Sequence, residues 1–583
     1  MRIVALVKQV PHPPAIEFDE ETKALRREGV PLVLNPFDSS AVAAAASLRD
    51  IAGGEVVALT MGPPQAEEAL RECLALGADR CVHLSDPLFA LADTIGTSRT
   101  LALALAKLGA DLVLCGRKTI DSETWQVPPE VAAYLDVPCV TNATAIEVVG
   151  GRGLRATRQT DTGEDVYEVD LPAVVSVARP QLEPTAHVAD ADARIERWDS
   201  RELVPDPRPD DKRFGQTGSP TRVLSVRDAR PERAGRRAQT PSEARAIVQE
   251  LLSTRKAQPS AWEKPEHVAE QPGRRYDSWT AVETVGGGAT RLSLELVGKG
   301  RELAGALGGT NAAVVLGHGL AGVDAELIRY GAERVVLVDD ATLAQYHTET
   351  WAAALRQVVE RHRPHTLVFP ASSWGRDLAP RVAGELELGM TGDCVDLAIV
   401  KAGRLFQRKP AYGGNIVSGI MGRTNPQLAT VRARMFEPVE PREDATGEVE
   451  RFSLAGLPEP RTRLVERRDG GGGHALDAAD AVICVGSPLV GEIGEIEALV
   501  GTRAAVGGTH EVCAAGHLPP AREIGLYGRP VAPRLLLALG VADEFWNVTG
   551  WVRADVVLAV SSPIAADVSV DADWRDIVET VLA

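Results

Sequence analysis

Four short segments between residues 6 and 127 combine glycine, lysine and other polar residues at the predicted ends of strands. Gly62 and Gly116 let a backbone approach a ligand closely, and a helix that starts beside them offers free N–H groups to phosphate. Lys8 and Lys118 add positive charge. The pattern predicts a nucleotide site, although strand ends in any α/β protein carry such residues. The candidate residues are Leu6, Lys8, Asn35, Pro36, Phe37, Asp38, Met61, Gly116, Lys118, Asp121, Thr124, Trp125, Gln126 and Val127.

The segment GGTHEVCAAGHLPPAREIGLYGRPVAP, residues 507–533, has the glycine spacing of a second phosphate-binding segment. It opens on paired glycines and reaches a Gly-x-x-Gly loop at Gly525–Gly528. Few polar or cationic side chains accompany these glycines, and turns need glycine with or without a ligand. The segment therefore indicates either a cofactor site or glycine turns that keep the shape of such a site without binding a cofactor.

An internal repeat defines the elements that must position these residues. GADRCVHLSD (77–86) returns as GAERVVLVDD (331–340), and LVLCGRKTID from Leu112 is matched by LVFPASSWGR from Leu367. Each copy alternates unbroken Val/Leu runs with helical segments, which is typical of parallel strands covered on both faces. We predict an α/β protein with two similar doubly wound domains, related by duplication and a pseudo-two-fold axis, and a smaller C-terminal α/β domain.

Composition divides the chain into five segments. They are an α/β domain at 1–200, an arm at 201–258 that ends in a helix at 242–252, a polar Pro-containing linker at 259–274, a second α/β domain at 275–440, and the C-terminal domain at 475–583. The glycine-rich break at 469–474 precedes the last domain and indicates either a hinge or a loop without such a role.

Composition also bounds the kind of protein. The 583 residues carry a net charge of −18, which argues against nucleic acid or an anionic membrane as the main partner. Seven cysteines without C-x-x-C spacing indicate reduced thiols and no metal site. No apolar run approaches the length of a transmembrane segment, and the N-terminus reads as a strand, not a secretion signal. We expect a cytoplasmic protein.

Motifs in both halves are characteristic of one known family. In the first half they are VKQVP (7–11), NPFD (35–38), LTMGPPQAEEALRECLALGADR (59–80) and LVLCGRKTID (112–121); in the second they are SSWGRDLAPRVAGEL (372–386), GMTGDC (389–394), KPAYGGN (409–415) and QLATVR (427–432). The first set resembles the β subunit of electron transfer flavoprotein and the second its α subunit. The order implies a single-chain fusion, β first, that works as one polypeptide without a separate partner subunit.

The resemblance implies a base of two similar α/β domains that carries a smaller FAD domain, with AMP, or FAD in bifurcating members, in the β part. The FAD residues of the family align with Ser487, Thr509, His510, Gly525, Leu526, Tyr527, Gly528, Asn547, Ser561 and Asp573. Cationic side chains of the family are absent at 487 and, unless His510 is protonated, at 510, while Asp543 and Glu544 add negative charge. One charge at about 4 Å is worth roughly 4 kcal/mol at an effective dielectric near 20. We therefore predict a divergent domain that binds FAD more weakly or differently than typical members.

Two departures from the family bear on the other nucleotide. Trp125 stands in a loop where the family has small residues, so it either stacks on an adenine or fills the pocket. Pro128 removes a backbone N–H at a helix start, where phosphate is usually bound. These residues favour AMP over a second FAD.

The docking segment of the family, which recognises acyl-CoA dehydrogenases, aligns with EPTAHVADADARIERW (183–198). The segment lacks the usual Leu-Pro and basic run. It therefore predicts either different partners or a solvated loop without a docking role. The expected partner is a flavin dehydrogenase or a quinone reductase, and the expected assembly is a monomeric pseudo-heterodimer.

Three functions remain open at this point. The first is an electron carrier with one FAD between a flavin dehydrogenase and an acceptor. The second is a degenerate relative without flavin that acts as a nucleotide-binding scaffold. The third is an electron-bifurcating enzyme with two FAD and NADH, which Trp125 and Pro128 disfavour.

Overall fold

A computed structural model of the chain describes residues 1–12, 17–18, 25–26, 30–150, 153–179, 191–229, 231–254, 276–470 and 473–583. The predicted linker at 259–274 lies outside the described residues, as do Gly471 and Gly472 of the predicted hinge and residues 183–190 of the segment aligned with the docking motif. Within the described part, no helix is both long and apolar enough to cross a membrane.

The first domain is a mostly parallel sheet covered by helices. Its strands are β1 (Arg2–Leu6), β2 (Gln9–Pro11), β3 (Glu17–Phe18), β4 (Leu25–Arg26), β5 (Leu32–Leu34), β6 (Glu55–Met61), β7 (Arg80–Leu84), β8 (Leu112–Gly116), β9 (Cys139–Val149), β10 (Gly153–Gln159), β11 (Gly163–Asp170), β12 (Ala173–Val177) and β13 (Ile195–Trp198). Its helices are α1 (Pro36–Ala52), α2 (Glu67–Ala75), α3 (Thr94–Leu108), α4 (Val127–Leu135) and α5 (Ser200–Leu203). The central strands are Val/Leu/Ala runs because both faces of the sheet are buried.

The arm that follows does not fold as a unit of its own. It consists of α6 (Gly215–Gly218), β14 (Thr221–Asp228), β15 (Arg236–Ala238) and α7 (Pro241–Thr254). The helix expected at 242–252 is therefore present and slightly longer. Apolar residues of α7 lie in the core of the C-terminal domain.

The second domain repeats the first. Its strands are β16 (Ser278–Val282), β17 (Thr284–Val285), β18 (Gly288–Ala289), β19 (Asn311–Gly317), β20 (Arg334–Asp339), β21 (Thr366–Pro370), β22 (Met390–Cys394), β23 (Asp396–Val400), β24 (Arg404–Ala411), β25 (Ile416–Gly422), β26 (Gln427–Val431) and β27 (Glu448–Arg451). Its helices are α8 (Arg291–Leu307), α9 (Val323–Arg329), α10 (Thr348–His362) and α11 (Gly375–Leu386).

The strand orders of the two domains coincide. The first sheet runs β13-β7-β6-β1-β8-β12-β9, and the second runs β27-β20-β19-β16-β21-β26-β22. The equivalent helices α4 and α11 pack on each other so closely that a Cβ on Gly384 would lie 2.9 Å from the Cβ of Ala133. The duplicated doubly wound fold predicted from the repeat is confirmed.

A further strand, β28 (Thr462–Asp469), leads to the C-terminal domain. That domain has α12 (Gly473–Ala478), β29 (Ala481–Val485), α13 (Ile493–Val500), β30 (Ala505–Gly508), α14 (His510–Ala514), β31 (Leu535–Leu539), α15 (Phe545–Val548), β32 (Val556–Val560), β33 (Val568–Val570) and α16 (Trp574–Val581). Its parallel sheet has the order β15-β33-β32-β31-β29-β30, so the arm supplies one edge strand.

Strands from one half of the chain complete sheets of the other half. From the second half, β28 pairs antiparallel with β11 of the first domain. From the first half, β14 pairs antiparallel with β25 and β15 pairs parallel with β33. The halves are therefore interlocked by exchanged strands, which composition alone did not indicate.

One sequence-based interpretation needs correction. Residues 183–198 were expected to be either a docking segment for other partners or a solvated loop without a docking role. The last four of these residues instead form β13, an edge strand that pairs parallel with β7. The division of the chain into these five segments stays a prediction. The arm and β28, which lies between the last two segments, both pair with strands of other segments.

Candidate functional site

The predicted nucleotide residues of the first domain converge at the carboxyl ends of β1, β6 and β8. Leu6 and Met61 end two of these strands, and Asn35 immediately precedes α1. The Asp38 carboxylate accepts hydrogen bonds from the backbone N–H groups of Lys8 (2.9 Å) and Gly116 (3.0 Å). Asn35 donates to the carbonyl of Lys118 (3.1 Å) and accepts from the N–H of Ile120 (3.2 Å).

The polar groups of this crevice bond mainly to each other. The Lys8 Nζ lies 2.6 Å from the Asp121 carboxylate. A Cβ on Gly116 would lie 2.4 Å from an Asp38 oxygen, so packing within the protein already requires this glycine. Burial raises the pKa of Asp38 to about 7, against the hydrogen bonds that it accepts. The structure thus brings these predicted residues together, and their role in binding AMP stays a prediction.

The loop after β8 forms a buried ionic cluster with the second domain. Lys118 Nζ lies 3.1 Å from Glu123, and Arg432 lies 3.4 Å from the same carboxylate. Glu123 also accepts the N–H of Gly413, and its carbonyl accepts from Lys409. Burial lowers the pKa of both lysines to about 8, and nearby arginines act in the same direction. The loop therefore ties the two base domains together.

Trp125 lies between cations. The guanidinium carbons of Arg117 and Arg376 lie 4.8 and 4.6 Å from the centre of its ring, and Lys118 Nζ lies 5.6 Å away. Arg376 forms a two-point ion pair with Asp393 (2.8 and 2.9 Å). Gln126, which precedes α4, donates to the carbonyl of Met390. The ring thus stacks on arginine side chains of both base domains.

The candidate FAD residues divide into two groups. Thr509, His510, Gly525, Leu526, Tyr527, Gly528 and Asn547 lie together: the rings of His510 and Tyr527 are 5.2 Å apart, and the Leu526 N–H donates to the carbonyl of Trp546. Ser487 and Ser561 are exposed where β29 and β32 end. Asp573 caps α16 by accepting the N–H of Arg575.

Side chains of the protein fill the region around the Gly-x-x-Gly loop. Leu526 and Tyr527 are 2% and 7% exposed and pack with Val10, Phe37 and Ile120 of the first domain. Trp546 stacks on Tyr527 with the ring centres 6.4 Å apart. The loop thus docks the C-terminal domain on the first domain.

The fit of FAD to these residues follows from their contacts. His510 pairs with Glu523 at 3.0 Å, and Glu511 accepts hydrogen bonds from Trp546 and Asn547. A Cβ on Gly525 would lie 2.4 Å from the carbonyl of Trp546, and one on Gly528 would lie 2.2 Å from that of Glu523. Protein atoms therefore already use the glycines and most of the polar groups, although the Thr509 hydroxyl and the Asn547 side-chain oxygen are buried without a hydrogen-bond partner among the described residues. In this docked arrangement the residues do not fit FAD.

A cleft lies between all three domains, beside this contact. It has an empty volume of about 670 Å³, part of it open to solvent, and the residues that matter here are Arg117, Trp125, Asn142, Asp161, Arg376 and Arg529. Arg117 and Arg529 were not predicted as site residues. The only sequence signal was position, since Arg117 follows Gly116 and Arg529 follows the Gly-x-x-Gly loop.

Comparison with known proteins identifies the fold class. Residues 22–203 and 278–457 match the electron transfer flavoprotein domain, and residues 475–551 match the electron transfer flavoprotein FAD-binding domain. The chain belongs to the electron transfer flavoprotein family, whose members carry electrons. The C-terminal match supports FAD as the cofactor, so the poor fit concerns the docked arrangement.

Relatives match the two halves separately. The electron transfer flavoprotein subunit beta of Thermoanaerobacterium thermosaccharolyticum is 38% identical over 243 residues, covering 40% of this chain and 91% of its own length. The subunit alpha of the same organism is 29% identical over 307 residues, covering 51% and 92%. Caffeyl-CoA reductase-Etf complex subunit CarD of Acetobacterium woodii is 39% identical over 231 residues, covering 38% and 86%. The predicted fusion of β-like and α-like parts is confirmed.

Proposed function

We propose that this chain is a single-polypeptide electron carrier that takes electrons from a flavin dehydrogenase and delivers them to an acceptor such as a quinone reductase. The match of residues 475–551 to an FAD-binding domain carries the proposal, because it joins a flavin domain to the duplicated base in one chain. All seven cysteines are free and buried, which suits a reducing cytoplasm.

FAD binding in this proposal is weaker than in typical members. Binding at Thr509, Tyr527 and Asn547 requires the loop 525–528 to leave Phe37 and Val10, because Tyr527 is 7% exposed in the docked arrangement. That undocking exposes apolar surface and subtracts from the affinity for FAD. AMP is the proposed nucleotide at the crevice of Asn35, Asp38 and Gly116, since Pro128 lies at the start of α4 and offers no N–H to a larger nucleotide.

Reconstitution with FAD tests the proposal. The full chain is purified, incubated with excess FAD, passed over a desalting column and examined by visible absorption and by reduction with a dehydrogenase. We expect flavin that is partly lost on the column and is reducible while bound. Tyr527→Gly, which removes the buried ring, is expected to retain more FAD than the wild type. A protein fraction that shows no flavin absorption after incubation with saturating FAD and desalting would support the nucleotide-binding scaffold instead.

Native mass spectrometry tests the second nucleotide. The chain is expected to retain one AMP at saturating AMP, and Asn35→Ala is expected to retain less because the crevice loses two hydrogen bonds. Retention of a second FAD in place of AMP would favour the bifurcating function.

A further inference from the structure

The cleft between the three domains contains more positive than negative charge. Three arginines line it, namely Arg117 and Arg376 from the base and Arg529 beside the Gly-x-x-Gly loop, and Asp161 is the acidic residue among its lining side chains. Asp161 already accepts from Arg529 (3.0 Å) and from the N–H of Ser373 (2.6 Å). Arg529 also pairs with Asp477, and Arg376 pairs with Asp393, so Arg117 is the lining arginine without a carboxylate partner among the described residues.

Arg117 has an unusual environment for a buried cation. It is 8% exposed, and its hydrogen bonds go to neutral oxygens: the side chain of Asn142 (3.0 Å) and the carbonyl of Tyr527. Within the described part of the chain it makes no ion pair with a carboxylate, and its Nε is buried without a hydrogen-bond partner. Burial lowers the pKa of Arg117 to about 10. A buried cation without a counter-ion is costly, so this site favours an added anion.

The cations around Trp125 also outnumber the carboxylates that pair with them. Arg376 shares Asp393 with Arg432, and Arg432 shares Glu123 with Lys118. The indole N–H of Trp125 is also buried without a hydrogen-bond partner among the described residues. Asp393 and Glu123 are thus the two carboxylate partners of three cations on the wall of the cleft, Arg376, Arg432 and Lys118.

We propose that the cleft binds a small anion of the phosphate class, either free phosphate or the phosphate group of a nucleotide, with Arg117 as its main contact. Arginine suits this ligand because its planar fork can donate two parallel hydrogen bonds to phosphate oxygens. Such an anion would contact the base through Arg117 and Arg376 and the C-terminal domain through Arg529. It would therefore favour the docked arrangement. Because FAD binding in the proposed function requires undocking, phosphate at this cleft is expected to weaken FAD binding without occupying the FAD site.

Thermal unfolding of the full chain with inorganic phosphate tests the site, with calorimetry for the dissociation constant. We expect phosphate to raise the Tm of the wild type and to bind once per chain. Arg117→Gln is expected to weaken binding at least tenfold, and Arg117→Lys is expected to restore part of it. Arg356→Gln, at an exposed arginine of α10, removes the same charge and is expected to bind like the wild type.

Further measurements distinguish loss of phosphate binding from misfolding of the variant and identify the source of the bound anion. Because Arg117 lacks a counter-ion, Arg117→Gln without phosphate is expected to be at least as stable as the wild type. AMP binding that weakens at least tenfold in Arg117→Gln but not in Asn35→Ala identifies a nucleotide as the source of the anion in this cleft. AMP binding that weakens only in Asn35→Ala identifies free phosphate.

Three results would overturn the proposal. They are no phosphate-dependent change in the wild type, unchanged affinity in Arg117→Gln, and loss of phosphate binding in Lys8→Gln, which would place the anion in the other crevice. Arg117→Gln that abolishes FAD binding as well as phosphate binding would show instead that the cleft is part of the flavin site. The phosphate titration can be interpreted even if the chain does not bind FAD.

Discussion

Glu130 is a buried carboxyl group whose protonation should govern the pH dependence of stability. It is fully buried on α4 and accepts hydrogen bonds from Ser98 (2.8 Å) and Thr94 (3.0 Å). Burial raises its pKa to about 8, which the hydroxyl groups offset only in part. In the unfolded chain the pKa of glutamate is about 4.3. Between these values the folded state binds more protons, so stability is lost as the pH rises.

Glu130→Gln replaces the carboxyl group with a neutral side chain of similar shape. We expect its stability relative to the wild type to change little below about pH 4 and to increase with pH toward about pH 8, by on the order of 5 kcal/mol. Urea unfolding at several pH values measures the difference. Glu147→Gln, at an exposed position on β9, should give no such slope. A pH-independent difference for Glu130→Gln would refute the raised pKa.

Sequence reasoning located the residues of the crevice because their partners are determined by local topology. Leu6, Met61 and Gly116 end parallel strands, and such ends share one edge of a sheet. Asn35 and Asp38 follow β5, the antiparallel partner of β2, and lie at the start of α1 beside the same edge. Arg117 was missed because its partner Tyr527 lies in another domain, and nothing in the composition records that contact. The filling of the FAD loop by Tyr527 was likewise invisible, since a tyrosine suits either a ligand contact or a buried interface.

At the scale of elements, α7 belongs to the core of a domain far away in the sequence. Ala244, Ile247 and Val248 are buried among residues of the C-terminal domain, beside α16. Ile247→Ala is expected to cost about 2–5 kcal/mol in the stability of that domain, because it leaves a cavity. Hydrogen exchange in β33 and α16 measures the effect.

Gln249→Ala provides the matched control, since this side chain of α7 is exposed. Unaltered exchange of β33 in Ile247→Ala would show that α7 is dispensable for the C-terminal domain.

The repeat predicted the central strands of both base domains because they are long Val/Leu runs. It did not predict the exchanged strands, since β28 reads TRLVERRD and its residues are mostly exposed. Polar edge strands carry little signal in composition.

At the scale of the whole molecule, the exchanged strands should hold the halves together without a covalent link. Strand β28 pairs with β11 over most of its length, and β14 pairs with β25. We expect a chain cut by a protease at a site inserted into 259–274 to elute as one species in size-exclusion chromatography. Urea should separate the two fragments.

The uncut insertion variant is the reference for this measurement. Separation of the cut halves in native buffer would show that the linker, and not strand exchange, keeps them together. A cut chain that stays whole and still binds FAD would mean that fusion affects assembly more than it affects the finished protein.

The pairing of β28 with β11 also has a consequence for synthesis. Strand β11 ends at Asp170, whereas β28 ends at Asp469, about 300 residues later. At about 5–20 residues per second, a ribosome needs roughly 15–60 seconds to cover that distance. During this interval the first domain has emerged with one sheet edge uncovered, and uncovered edges invite pairing with other chains. The newly made first half is therefore the stage at which this protein most needs a chaperone.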